Sequence, residues 1–218
     1  MLVLAFDSAA SACSAALCRD GDVIARRYEN MVQGHSEFLM GMIEEVMEDA
    51  GISFSDLDLL AVTTGPGGFT GLRIGLATAR GLSLAGGLAC AGVTTLEAVA
   101  AGVAETERRD ATVLVALDSK REDLYVQAFG PGLEPLTAAE AVLPEALAAT
   151  LGDPSIMEGP VLVVGDAGDR AVKALNGAGR KVVLSDAPGT PDAGIVAALA
   201  ANRWSPEAPP ARPEPLYL

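Results

Sequence analysis

Hydrophobic and polar positions along the chain predict alternating strands and helices. The apolar run "LVLAFD" predicts a buried first strand, and alternation on both sides of Asp20-Gly21 predicts a tight hairpin after it. A helix over 35–51 comes next, with Gly51 as its stop signal. The remaining apolar runs up to about residue 105 predict strand, helix, strand and helix in turn.

The second half of the chain repeats this order. "VLVALDSK" and "LYVQAFG" predict strands around a polar turn, and further helix and strand patterns continue to "AGIVAALAANRW". The first strands of the two halves end alike, in "AFDS" at Asp7 and in "ALDS" at Asp118. We therefore predict an internal duplication, with subdomains over 1–106 and 107–204 and a proline-rich extended tail over 205–218.

The predicted helix over 35–51 has an apolar stripe wider than one contact with a sheet requires. Four of the six methionines lie between residues 31 and 47, and methionine is favoured on adaptable recognition surfaces. Core methionines that fill gaps are an alternative that this helix alone supports equally well. We predict that Phe38, Met42 and Met47 contact a partner.

The segment "TTGPGGFTGLRIGLATARGL" places four glycines between a strand and a helix. Such a turn can bind phosphate, but the dinucleotide pattern fails at Thr70, and the P-loop pattern fails because the segment has no lysine. The helix is apolar nearly all round, so it either packs inside one domain or also contacts a second subunit. We predict the second arrangement, with five interface residues: Gly71, Leu72, Gly75, Leu76 and Ala79.

Composition and charge limit the classes of function. The 218 residues are 50% hydrophobic and only 20% charged, which is typical of a folded protein. The net charge of −14 predicts that the chain alone repels nucleic acid and acidic membranes. Without a basic signal-peptide region or a long uncharged apolar run, we expect a cytoplasmic protein with no membrane segment.

The residue types that catalysis and metal binding require are scarce. His35 is the only histidine, and the three cysteines contain no C-x-x-C pair, so we predict no catalytic residue, no metal site and no cofactor. Asp7 and Asp118 are the best acid candidates, because carboxylates at such positions can hold magnesium in duplicated nucleotide-binding folds. Turn carboxylates that accept backbone N–H groups are the favoured alternative.

Four segments together resemble the TsaB (YeaZ) family: "LAFDSAASACSAAL", "HSEFLMGMIEEVM", "GPGGFTGLRIGLATARGLSLAGGLACAGVTTLEAVA" and "LVALDSKREDLYVQAF". The resemblance is strong over residues 1–130, weaker beyond them, and returns faintly in "PEPLYL". It implies an α/β fold of the actin-like, Hsp70-like (ASKHA, ribonuclease H-like) class. That fold has two duplicated subdomains, each with a mixed sheet flanked by helices.

The resemblance also implies a function. Members of the family are noncatalytic scaffold and dimerisation subunits that bind TsaD, and with it TsaE, for N6-threonylcarbamoylation of the adenosine next to the anticodon in tRNAs reading ANN codons. It implies a homodimer when the chain is alone, only indirect contact with tRNA, and room for a nucleotide at the interface with TsaD. The alternatives are an autonomous ATPase or sugar-kinase-like enzyme on the same fold and, third, a peptidase.

Overall fold

The computed structural model describes residues 1–31, 33–152, 159–205, 207–208 and 210–218. These residues divide into two compact units. The first comprises 1–98 and 191–217, and the second comprises 99–190 with Leu218. In the described part of the chain, no helix combines the length and the hydrophobicity that crossing a bilayer requires.

Each unit contains one five-stranded sheet. The strands are β1 (Leu2–Asp7), β2 (Ala12–Arg19), β3 (Asp22–Asn30), β4 (Leu59–Thr63), β5 (Ala89–Val93), β6 (Thr112–Asp118), β7 (Leu124–Phe129), β8 (Glu140–Val142), β9 (Val161–Val164) and β10 (Val183–Leu184). The predicted hairpin is confirmed, because Asp20 and Gly21 join β2 to β3 with φ of 52° and 96°. Positive φ at both central residues is the signature of a tight type I′ turn.

The helices are α1 (His35–Ala50), α2 (Phe69–Gly86), α3 (Thr95–Ala101), α4 (Glu105–Arg108), α5 (Leu147–Thr150), α6 (Gly168–Gly177) and α7 (Ala193–Arg203). Short 3₁₀ helices cover Phe54–Asp56 and Pro144–Ala146. Gly51 ends α1 in the left-handed conformation, with φ of 63°, and its N–H bonds the carbonyl oxygen of Glu48 at 2.9 Å. The predicted stop at Gly51 is therefore confirmed.

The two sheets have the same topology. Their strand orders are β3-β2-β1-β4-β5 and β8-β7-β6-β9-β10. In each sheet the first strand is central, antiparallel to the strand that follows it and parallel to the fourth. The predicted mixed sheets flanked by helices are confirmed, and the shared topology matches the predicted duplication.

The first sheet packs against helices on both faces. On one face, α1 and α2 bury Leu39, Val46 and Leu72 against Leu4 and Phe6 of β1. The other face packs against α7, whose Val196, Ala197 and Ala200 are at most 1% exposed.

The position of α7 corrects the predicted boundaries. We predicted subdomains over 1–106 and 107–204, but α7 contacts β1, β2 and β4, and so lies in the first unit with the tail. Asp192 caps α7 by accepting the N–H of Gly194 at 2.7 Å, and the hydroxyl of Ser14 in β2 accepts the N–H of Ala193 at 3.1 Å. The small side chains of α7 let the helix approach the sheet closely. The order of the elements along the chain does not show which sheet the helix packs against.

Candidate functional site

The predicted interface residues of α1 lie at different depths. Met42 is 5% exposed and belongs to the core of the first unit, and Met47 is partly buried against the same core. Phe38 is 53% exposed, and the neighbouring Met40 is 41% exposed. Of the three predicted residues on this helix, Phe38 is therefore the one that the described structure leaves open to a partner.

The predicted interface residues of α2 face the chain's own core. Leu72, Gly75, Leu76 and Ala79 are buried. A Cβ atom on Gly71 would overlap the carbonyl oxygen of Ser8, and one on Gly75 would lie 2.8 Å from the Ser8 hydroxyl oxygen. Gly71 and Gly75 therefore pack against the loop after β1, which together with the burial of the other three residues corrects our assignment of these five residues to a partner. Because the helix is apolar nearly all round, its periodicity could not tell the inward face from the outward one.

The side of α2 that faces away from the core remains available to a partner. Ala77, Gly81 and Ala85 are exposed there, and Leu84 is 87% exposed. An interface through α1 and α2 stays a prediction, but on α2 it must use outward residues other than the five that we predicted.

An aromatic cluster lies at the start of α2. The rings of Phe69 and Tyr217 are 5.8 Å apart, and the guanidinium of Arg73 lies 3.7 Å from the centroid of the Phe69 ring. Phe69 is 56% exposed and Tyr217 is 51% exposed. Aromatic side chains and arginine are enriched at protein interfaces, so this cluster adds to the surface that a partner could contact. In the sequence, the faint resemblance of "PEPLYL" to the TsaB (YeaZ) family was the signal for this cluster. It did not identify Tyr217 as a candidate residue.

Asp7 is a fully buried carboxylate at the end of β1. Its Oδ1 accepts the hydroxyl of Thr63 and the N–H of Ala9, the second at 3.0 Å. Within the described part of the chain, its Oδ2 has no hydrogen-bond partner. Desolvation raises the pKa of Asp7 to about 6, although the hydrogen bonds from Thr63 and Ala9 act in the opposite direction.

The glycine segment packs directly against the backbone that follows Asp7. The N–H of Gly68 donates to the carbonyl oxygen of Ala9 at 2.7 Å, and the Ser8 hydroxyl donates to the carbonyl oxygen of Gly71 at 2.8 Å. A Cβ atom on Gly67 would overlap the same Ala9 oxygen. These glycines therefore admit the chain's own backbone at the place where a phosphate loop would approach a phosphate.

The corresponding carboxylate of the second unit has a polar environment. Asp118 accepts the backbone N–H of Lys120 at 2.9 Å and its ammonium at 3.0 Å, and Arg170 lies 3.4 Å away. Partial desolvation acts to raise the pKa of Asp118. The hydrogen bonds from Lys120 and the charges of Lys120 and Arg170 outweigh that effect, so its pKa is lowered.

The histidine and the cysteines take packing roles. His35 begins α1, is 9% exposed, and donates from Nε2 to the carbonyl oxygen of Ala10 at 3.1 Å. The three cysteines are buried free thiols, and desolvation raises the pKa of Cys13 to about 12 and that of Cys18 to about 11. Among the described residues, no three His, Cys, Asp or Glu side chains are grouped so as to hold a metal ion.

Comparisons with known proteins agree with this architecture. A family model described as "TsaD: tRNA N6-adenosine threonylcarbamoyltransferase" matches residues 24–155. The tRNA threonylcarbamoyladenosine biosynthesis protein TsaB of Escherichia coli (strain K12) is 39% identical over 126 residues, or 57% of this chain and 53% of that protein. The match therefore spans about half the length of this curated relative, which is named as a tRNA biosynthesis protein and not as a peptidase.

Solved structures also resemble the chain over nearly all of its length. YeaZ from Pseudomonas aeruginosa has a TM-score of 0.81 and 25% identity, with 99% of this chain and 100% of that chain covered. The activator of the 2-hydroxyisocaproyl-CoA dehydratase from Clostridium difficile, solved with bound ADPNP, has a TM-score of 0.52 and 13% identity. This second likeness covers 93% of this chain and 95% of that chain, and it shows the fold alone.

The two mixed sheets flanked by helices, together with the fold likeness to that activator, assign the chain to the actin-like ATPase (ASKHA) class of fold. The family model covers more than half of the chain, so the chain belongs to the family that the model describes. Within that family its relatives are TsaB and YeaZ proteins, which makes it a TsaB (YeaZ) family member.

Proposed function

We propose that this chain takes part in forming N6-threonylcarbamoyladenosine in tRNA as a noncatalytic subunit that binds TsaD. The observation that carries the proposal is the match to proteins named for this biosynthesis. In this proposal TsaE joins through the complex, and tRNA contacts the chain only indirectly because the net charge is −14.

The loop after β1 supports the noncatalytic role. Protein backbone fills the space between Asp7 and the glycine segment, through the bonds from Gly68 to Ala9 and from Ser8 to Gly71. A phosphate would have to displace these contacts before it reached the carboxylate. Any nucleotide would therefore bind elsewhere, for example at the interface with TsaD.

The partner surface in this proposal is formed by the outward sides of α1 and α2. Phe38 and Phe69 are more than half exposed. Burying these large apolar side chains against a partner would be favourable. The same surface would join two copies of the chain when TsaD is absent, so the two partners would compete for it.

The test is a titration of the purified chain with TsaD. We expect Phe38→Glu and Phe69→Glu each to weaken binding by about tenfold or more, because each puts a charge into an apolar contact. Leu136→Glu is the matched control, since Leu136 is 40% exposed in the second unit and the change in charge is the same. Equal binding by all three variants would refute the surface, and no binding by the unaltered chain would refute the function.

The autonomous ATPase is the second candidate, favoured by the strand-end carboxylate and by the fold shared with an ADPNP-bound protein. ATP turnover by the single chain that disappears in Asp7→Asn would establish it and would refute the noncatalytic role. We expect no such turnover.

A further inference from the structure

A cavity of about 770 Å³ lies in the first unit, away from Asp7 and from the aromatic cluster. It is bounded by the second half of α2, by the start of β5, and by tail residues 210–214. Its volume is in the range of sites that hold small molecules, about 300–1,000 Å³.

Four apolar residues of the lining, which we call the floor, are Leu76 and Ala79 of α2, Leu88 and Cys90. Burial raises the pKa of Cys90 to about 12, so the thiol is neutral at physiological pH and acts as a small apolar group. Hydrocarbon would therefore be favoured over water on this floor.

Two arginines line the same cavity. Arg80 reaches the carbonyl oxygen of Pro213 over 3.4 Å, which is long for a hydrogen bond, and Arg212 is exposed. Neither forms an ion pair with an acidic side chain in the described ranges. The charged residues of the lining are therefore two cations and one acid, Glu214, so the cavity is locally positive on a chain with a net charge of −14.

We propose that this cavity binds a small amphipathic monoanion, with its apolar body on the floor and a carboxylate between Arg80 and Arg212. Glu214 lines the same cavity and would repel a second negative charge, which selects for a single one.

A small molecule fits this cavity better than a peptide strand does. Pro210 and Pro213 form part of the wall, and proline has no N–H to donate to an added strand. From β5, only Ala89 and Cys90 reach the cavity, which is too short an edge for strand pairing.

The experiment compares two ligands that differ in the head group. Octanoate and 1-octanol are titrated separately into the isotope-labelled full chain, and amide chemical shifts report affinity and position. We expect saturable binding with shifts at α2 and β5, and about fivefold tighter binding of octanoate, as one partly exposed ion pair allows. No saturable binding, or equal affinity for the two ligands, would overturn the proposal.

Two variants distinguish a specific site from nonspecific electrostatic attraction of the octanoate anion to the protein. Arg212→Gln should lower the affinity for octanoate toward that for 1-octanol, with Arg80 still in place, and leave the affinity for 1-octanol unchanged. Arg109→Gln makes the same change in charge at an exposed position of the second unit and should bind octanoate normally. An equal loss in both variants, or no loss in Arg212→Gln, would overturn the proposal.

Discussion

Asp7 and Asp118 end corresponding strands of two sheets with one topology, yet their surroundings are opposite. Asp7 is 0% exposed and has its pKa raised to about 6, whereas the partly exposed Asp118 has its pKa lowered. The two sheets share the order of their strands but not the electrostatics at the strand ends. The position of a carboxylate at the end of a first strand therefore does not determine its burial or the direction of its pKa shift.

The difference arises in the elements that cover each strand end. In the first unit, the glycine segment packs on the backbone of Ser8 and Ala9 and excludes water from Asp7. In the second unit, Asp166 accepts the backbone N–H of Asp118 at 2.8 Å, and Arg170 of α6 lies beside the carboxylate. One strand end is used for packing, and the other carries a network of surface charges.

The largest expected effect comes from breaking the contact that buries Asp7. Gly71→Ala places a Cβ atom on the carbonyl oxygen of Ser8, so we expect the free energy of unfolding to fall by about 3 kcal/mol or more. Gly81→Ala is the control on the same helix. Its Cβ would meet nothing within 4 Å, and it should stabilise the protein by about 0.5–1 kcal/mol. Urea denaturation measures both, and equal effects would contradict the packing described.

The second largest effect should be the contribution of Asp7 to the pH dependence of stability. Its pKa of about 6 in the folded protein exceeds that of the unfolded chain, so the folded state binds more protons between about pH 4 and 6. The free energy of unfolding should fall by about 3 kcal/mol as the pH rises through this window, and Asp7→Asn should remove that fall. If the two proteins have parallel pH profiles, Asp7 does not titrate as described.

A smaller effect should follow from removing the hydroxyl that donates to Asp7. Thr63→Val should cost about 1.5 kcal/mol at pH 7.5, where the carboxylate is charged, and less at pH 4. Thr64→Val is the matched control, because its hydroxyl donates to the neutral carbonyl oxygen of Val93 at 3.2 Å. Its cost should not change with pH, and a similar pH dependence in both variants would argue against a specific bond to Asp7.

The smallest effect is expected at Asp118. Its lowered pKa stabilises the fold above the pKa of the unfolded chain, and that contribution disappears as the pH falls through the folded value. Asp118→Asn should therefore cost less than about 1 kcal/mol at pH 7 and nothing at strongly acidic pH, since solvent screens the pairs. Thermal denaturation at several pH values measures this, and a pH trend of the same sign as that of Asp7 would refute the contrast.

The sequence by itself determined the features that depend on neighbouring residues. Asp20-Gly21 predicted the hairpin and Gly51 the end of α1, because positive φ at such positions favours these residue types. The repeated order of apolar runs predicted two halves with similar elements. The three-residue edge strand β8 was missed, since so short a segment carries no readable alternation.

Only the tertiary structure decided which surfaces meet. The inward face of α2, the packing of α7 on the first sheet and the burial of Asp7 all depend on contacts between residues far apart in the chain, such as Gly71 with Ser8 and Ser14 with Ala193. A helix that is apolar nearly all round has no periodicity that selects one face. The groups that surround a carboxylate, rather than its place in a motif, set its pKa: desolvation dominates at Asp7, and the charged side chains of Lys120 and Arg170 lower the pKa of Asp118.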